Sequence, residues 1–164
     1  MAVGAHPGYP DRERFGRVAL EMPASELSEA VRRQIDAIVG IASRLGARLS
    51  HVKAHGALYN QAERDAAVAR TILMGIRAAS GGSDLVVFAP PGSAMHREAE
   101  GMGMRVAREG FIDRAYEPDG TLRPRTLAGA LITDPAAAAA QALSFVPMHG
   151  SVMMNGMLAC LRLC

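Results

Sequence analysis

The sequence predicts an α/β domain, a parallel sheet with helices packed outside it. Three observations lead there. Short apolar runs alternate with longer segments whose apolar residues recur at helical spacing. Strands alternating with helices are the pattern of parallel strands joined by crossover helices. Finally, polar reactive side chains gather where the apolar runs end, and the C-terminal ends of strands are where α/β proteins build their sites.

The elements follow in order. Residues 2–6 form a short apolar run closed by Pro7 and Gly8. Ser25 is expected to cap a helix with apolar positions Leu27, Ala30, Val31, Ile35, Ile38, Ala42 and Leu45. That spacing suits a helix covering a sheet, and Gly46 suits its C-terminal stop. Residues 49–55 read as the second strand. Ala66, Ala69, Ile72, Leu73 and Ile76 mark another helix, ended near Gly81 and Gly82. Residues 85–89 form a buried strand, and Pro90-Pro91-Gly92 leads into a short helix capped by Ser93. Residues 104–109 are a further strand and 129–132 a candidate one. Asp134 and Pro135 cap and open a helix over 136–143. No repeat and no linker interrupts the pattern.

The totals bound the function. The chain has 164 residues, 49% hydrophobic and 21% charged, the balance of a soluble globular domain with a real core. A net charge of +2 points to neither nucleic acid nor an anionic membrane, and scarce aromatics with no Trp argue against base stacking. Cys160 and Cys164 make neither a disulfide framework nor a CxxC pair, so a reducing cytoplasm is the expected location. No signal peptide and no bilayer-spanning run is visible.

The most informative stretch is residues 51–60. On a strand, residues two apart share a face, so Leu49, His51, Lys53 and His55 point one way. A purely structural strand has little use for two imidazoles and an ammonium on one face. If both faces of the strand are covered, Lys53 is a buried ammonium with no structural purpose. Lys53 and His55 therefore read as site residues. His51, deeper in the strand, divides evenly between a site role and a structural hydrogen bond. Gly56 turns the chain, and Tyr59 and Asn60 follow, Asn60 as a candidate helix cap. His6 stands at the end of the first strand, with Asp11 on the same loop. Glu109, Asp113 and Arg114 cluster after a later strand, where a solvated charge run is the ordinary explanation and a site the alternative. His96 reads as an exposed helix residue, and the methionines as core filler. No glycine-rich phosphate loop of either common type is present.

These segments resemble the LamB/YcsF family of 5-oxoprolinase A subunits. Residues 53–60, Lys-Ala-His-Gly-Ala-Leu-Tyr-Asn, look like its signature. Residues 4–11, closed by Phe15-Gly16-Arg17, look like its histidine-bearing loop, and 109–116 like its acidic loop. Pro118-Asp119-Gly120-Thr121-Leu122, Pro124-Arg125 and Gly129-Ala130-Leu131-Ile132 continue the likeness, which runs from residue 3 to about residue 145. The resemblance implies a parallel (β/α) barrel of the glycoside hydrolase/deacetylase-like type, incomplete in this chain. It implies ATP-dependent opening of 5-oxoproline to glutamate, with magnesium and two partner subunits. His6, Lys53, His55, Glu109 and Asp113 become the catalytic candidates. Asp11, Tyr59, Asn60 and Arg114 become the substrate-binding ones. The family's reaction needs cations for phosphate, a fork for the substrate carboxylate and a base for water. Lys53 and Arg114 suit the first two needs, and His55, Glu109 or Asp113 the third. His6, Lys53, His55 and Glu109 or Asp113 are expected to converge on one cleft at the strands' C-terminal ends. A metal ion at the site is left open. The rival readings are a deacetylase-like metal hydrolase and a non-catalytic remnant.

A closed barrel usually takes about 250 residues, and this chain supplies about five strands by the pattern above. The resemblance implies family strands upstream of Met1 and a different family C-terminus. Residues 1–146 are thus expected to be a partial barrel domain. Residues 147–164 are expected to be an atypical tail of the kind a shifted reading frame gives, and no role is carried onto His149. An unpartnered strand edge at residues 2–6 invites association. Expressed alone, the chain is expected to form oligomers with a weak unfolding transition. A sharp cooperative melt from a monomer, sized by light scattering, would contradict that expectation.

Overall fold

A computed structural model describes residues 2–145 and, in backbone only, Val152–Met154. The expected tail, His149 and both cysteines lie outside the described side chains. The chain divides into two compact units, Met1–Val106 and Ala107–Cys164.

In the first unit the order is β1 (Val3–Ala5), α1 (Ala24–Arg44), β2 (Leu49–Lys53), α2 (Gly56–Arg64), α3 (Ala66–Ala78), β3 (Val86–Ala89) and α4 (Ala94–Gly101). Strands β1, β2 and β3 lie side by side and parallel. The register sets Ala5 beside Val52, Val52 beside Val87, and Lys53 beside Phe88. The Val87 N–H donates to the Arg105 carbonyl at 2.8 Å, which carries the ladder on to the residue before the next strand.

The period-2 alternation divides the sheet's faces. Ala5, Val52, Val87 and Ala89 are buried. They belong to the same core as Val31 and Ile35 of α1 and Ile72, Leu73 and Ile76 of α3, which are fully buried. Each of these larger side chains contributes about 1.5–3 kcal/mol by leaving water. The other face, with His51, Lys53, Val86 and Phe88, is only half-buried. That corrects the expectation of a buried ammonium at Lys53. His51 packs its ring against Phe88 at 4.9 Å and holds Nδ1 2.9 Å from Ser50 Oγ. A Cβ at Gly4 would stand 2.1 Å from its Nε2, so His51 fills the space that this glycine leaves. The structural reading of His51 is the one its contacts support.

Local rules account for most boundaries. The Asp65 carboxylate accepts from the Ala67 and Val68 N–H groups and caps α3, and Ser93 Oγ accepts from the His96 N–H. Gly46 takes φ 69° beyond α1 as a stop glycine does. Other expectations are corrected. Pro23, not Ser25, stands at the N-cap of α1, with no side-chain cap. Proline's fixed φ suits helix entry, and Ser25 falls inside the first turn. Leu45 is 79% exposed, because the helix ends before it. Asn60 lies inside α2 and is exposed, and His55 takes the N-cap position. His96 is buried, in the first turn of α4, and its Nδ1 accepts from the Gly92 N–H at 3.3 Å.

The second unit holds most of β4 (Val106–Gly110), which starts and ends slightly later than expected, α5 (Pro135–Ser144) and β5 (Val152–Met154). Strands β4 and β5 are parallel, with Glu109 beside Met153. Asp134 caps α5 through the Ala136 and Ala137 N–H groups, as its sequence predicts. Residues 129–132 form no full strand. Leu131 makes a single antiparallel bridge to Arg114.

Helices α1 and α3 meet closely at Gly75. A Cβ there would sit 2.4 Å from the Ser28 carbonyl oxygen and 3.0 Å from Val31 Cβ. Replacing a mid-helix glycine by alanine gains up to about 1 kcal/mol in helix propensity. Overpacking against a rigid backbone costs about 1–3 kcal/mol. Gly75→Ala is therefore expected to lower the urea midpoint of unfolding. A raised midpoint would show that the two helices part without cost.

Candidate functional site

The site in the first unit is built where β1 and β2 end. The chain leaves β1 through His6, and the His55 N–H beyond β2 donates to the Pro7 carbonyl at 2.8 Å. His6 Nδ1 donates to the Lys53 carbonyl at 2.8 Å. His55 Nε2 donates to the Phe15 carbonyl at 2.9 Å. The remaining nitrogens, His55 Nδ1 and His6 Nε2, lie 3.0 Å apart, with the rings edge to face. Two residues 49 positions apart in sequence are thus brought into direct contact.

A loop over residues 11–17 folds onto His55. The Asp11 carboxylate accepts from the Arg14 N–H at 3.1 Å and pairs with Arg14 Nε at 3.2 Å, which closes the turn. Phe15 adopts φ 56° and Gly16 φ 64°, both left-handed. For a bulky residue this conformation is an outlier. It aims the Phe15 carbonyl at His55, while the Phe15 ring edges the imidazole at 5.4 Å. Gly16 combines a left-handed φ with tight space, and Gly8 sits in similarly tight space. A Cβ on either would come 3.3 Å from the His55 ring.

Tyr9 of the histidine-bearing loop and two residues that the sequence reading passes over, Gln34 and Gln61, hold this arrangement. Gln34 of α1 donates to the Gly8 carbonyl at 2.8 Å and accepts from the Gly8 N–H at 3.1 Å. It is a polar residue inside the apolar stripe of α1, and that was the available signal. The Tyr9 hydroxyl donates to Gln61 Oε1 of α2. Burial, and then Asp65, push the Tyr9 phenol above its ordinary range.

A cavity of about 740 Å³ opens beside these groups, lined by His6, His55, Tyr9, Arg12, Arg33 and Gln34 among others, with Asp11 at its wall. Its size suits a small-molecule site. Lys53, Tyr59 and Asn60 do not line it. Lys53 Nζ lies 5.7 Å over the ring of the buried Tyr59, a cation–π placement. Asn60 is exposed on α2.

The second unit carries the acidic loop. Glu109 is 3% exposed at the end of β4, whereas Asp113 is exposed. Arg114 is buried, and its guanidinium is engaged with backbone. Nη2 donates to the Arg123 carbonyl at 2.6 Å and Nε to the Ala130 carbonyl at 3.3 Å. Gln141 of α5 donates to the Phe111 and Arg114 carbonyls at 2.6 and 2.7 Å. Two nitrogens of the expected carboxylate fork thus brace its own loop. Among the described residues, no three His, Cys, Asp or Glu side chains are grouped to hold a metal. No described helix is long and apolar enough to cross a membrane.

Burial of its ring, although the residue as a whole is exposed, holds the His6 imidazole below its ordinary range. The charges of His55 and Lys53 add to this, and the bond to the Lys53 carbonyl opposes it. The fold therefore favours neutral His6. Its contribution is complete above the unfolded value of about 6.5 and is lost as pH falls through the lower folded value. Acidification from about pH 7.5 to about pH 5 is expected to loosen residues 11–17 more in wild type than in His6→Gln. Hydrogen exchange of the 11–17 peptide, corrected for intrinsic rates, measures this. Equal acid sensitivity in both proteins would assign the effect to another group.

Comparison with known proteins places the chain. The family model described as LamB/YcsF family matches residues 1–160, past the end of the motif likeness and into the segment expected as a tail. The 5-oxoprolinase A subunit of Methylococcus capsulatus is 49% identical over 146 residues, 89% of this chain and 55% of the relative. That of Heliobacterium modesticaldum is 42% identical over 156 residues, 95% of this chain and 61% of the relative. The crystal structure of the lactam utilization protein from Thermus thermophilus superposes with a TM-score of 0.81 at 41% identity. It matches 94% of this chain, which covers 61% of that one. The chain thus spans a little over half the length of these relatives. Its parallel strands and flanking helices are the α/β barrel-type fold of that structure. By sequence and by fold, the chain belongs to the LamB/YcsF family.

Proposed function

We propose that this chain supplies residues of the 5-oxoprolinase A subunit for the ATP-dependent opening of 5-oxoproline to glutamate, acting with two partner subunits. The observation that carries the reading is the identity of 49% to a protein named as the A subunit of 5-oxoprolinase. The His6–His55 junction built by the matching motifs supports it.

The donor set suits the chemistry. A lactam is a poor electrophile, and ATP, bound with magnesium, supplies the phosphoryl group that activates its oxygen. Arg12 and Arg33 line the cavity, Arg33 with Nη1 3.9 Å from Glu29, and a guanidinium suits phosphate or the substrate carboxylate. Arg114, which braces its own loop through Nε and Nη2, is the alternative partner for the substrate carboxylate. Lys53, at the end of β2, offers an ammonium to developing oxyanion charge. Asp11 orients the 11–17 loop through Arg14. The Tyr59 ring holds the Lys53 ammonium by a cation–π contact. Glu109 or Asp113 is the base for water. Glu109 is buried at the end of β4 and Asp113 is exposed.

The test uses a protein of the relatives' full length carrying these residues, assayed with its partner subunits for ATP-dependent glutamate formation from 5-oxoproline. Lys53→Ala is expected to lower kcat at least ~100-fold, as loss of one oxyanion-stabilising donor does. Wild-type rates from Lys53→Ala would remove Lys53 from the mechanism. Failure of the unsubstituted protein to form glutamate would remove the reaction.

A further inference from the structure

Each imidazole of the pair commits one nitrogen to a backbone carbonyl. A carbonyl oxygen only accepts. His6 Nδ1 therefore carries the hydrogen it gives to Lys53, and His55 Nε2 the hydrogen it gives to Phe15. In a neutral imidazole the other nitrogen is then a bare acceptor. Those two other nitrogens are the ones that face each other at 3.0 Å. Two neutral rings would set lone pair against lone pair at hydrogen-bonding distance. Two fully charged rings would set N–H against N–H. One proton between them satisfies both nitrogens.

We infer that His6 and His55 hold a single additional proton between His55 Nδ1 and His6 Nε2, so that the pair is one monocation and not two separate bases. All four ring nitrogens are then engaged. The pair ties together the end of β1, the end of β2 and the loop residue Phe15. Work as a general base on a ligand would first require one of these bonds to break. As a fixed cation, the pair adds to a cavity wall that already carries Arg12 and Arg33, and so favours an anionic ligand. The other charged groups about it are Lys53 at the end of β2, Arg17 on the Phe15 ring, and Asp11, which Arg14 shares. The cations in this set, and the burial that lowers the His6 imidazole, act against every added proton and against the second most, so the one proton is held by the facing nitrogens themselves. The shared proton is independent of the proposed reaction, since it is a property of the protein without substrate.

The test is a long-range ¹H–¹⁵N correlation of the imidazole nitrogens in the 164-residue chain near neutral pH. Chelator treatment beforehand keeps a metal from standing in for the proton. His6 Nδ1 and His55 Nε2 are expected at protonated positions. His6 Nε2 and His55 Nδ1 are expected between the bare and protonated positions. His55→Gln, which removes the shared proton, is expected to move His6 Nε2 to the bare position. A wild-type spectrum with one of the facing nitrogens fully bare and its partner hydrogen-bonded elsewhere would overturn the inference, as would two fully protonated rings. The wild-type spectrum decides the question whatever the variant's stability, while 5-oxoproline turnover is measured separately.

Discussion

Everything in the first unit's site depends on a close approach of two backbones. The Ala57 N–H reaches the Gly16 carbonyl at 3.0 Å, and Gly56 passes so near that a Cβ on it would stand 2.4 Å from the Gly16 oxygen. Gly56 also has φ 59°, a conformation that glycine alone adopts without strain. The contact presses the 11–17 loop against the start of α2. His55 is left between that loop on one side and the Pro7–Gly8 turn on the other. Side-chain identity at His55 would achieve little without this approach, because the Phe15 carbonyl that fixes its tautomer would lie elsewhere.

The rest of the unit keeps those backbones in place. The buried face of the sheet, against Val31, Ile35, Ile72, Leu73 and Ile76, makes the strand ends a rigid base. Gln34 then joins helix to loop, since one amide group satisfies both the N–H and the carbonyl of Gly8. A buried turn has few other ways to pair those two groups. In the second unit the same logic recurs with different residues. Gln141 and Arg114 satisfy the carbonyls of Phe111, Arg114, Ala130 and Arg123, and so hold the loop beyond β4.

Much of this is legible in the sequence. The 3.6-residue pattern finds α1 and α3, and the short apolar runs find β1, β2 and β3, because burial on one face writes itself into periodicity. The α3 cap is harder to find. Asn60 and Asp65 are both good capping residues, and only the break at Asp65 between two consecutive helices decides between them. His6 and His55 are legible as site residues, but their contact is not, since no local rule relates positions 49 apart. Arg114 misleads because a charged residue in a charged loop looks solvated. Its burial comes from carbonyls of residues 123 and 130, which the sequence does not announce. Lys53 is expected to be buried on the rule that parallel sheets are covered on both faces. The described residues cover one face fully and the other in part.

Phe15 bears the cost of fixing the His55 tautomer. A bulky residue at φ 56° costs on the order of 1–3 kcal/mol, and such strain persists only where the surroundings impose it. Core packing does not impose it here, because Phe15 is 67% exposed. What the conformation gains is the aim of the Phe15 carbonyl at His55, a bond that fixes which imidazole nitrogen carries a hydrogen. Strain in the loop is thus exchanged for a defined tautomer in the site. A loop with no task beyond connecting β1 to α1 would relax to a negative φ and leave His55 free to turn. The backbone outlier therefore singles out His55 on grounds independent of the motif that contains it.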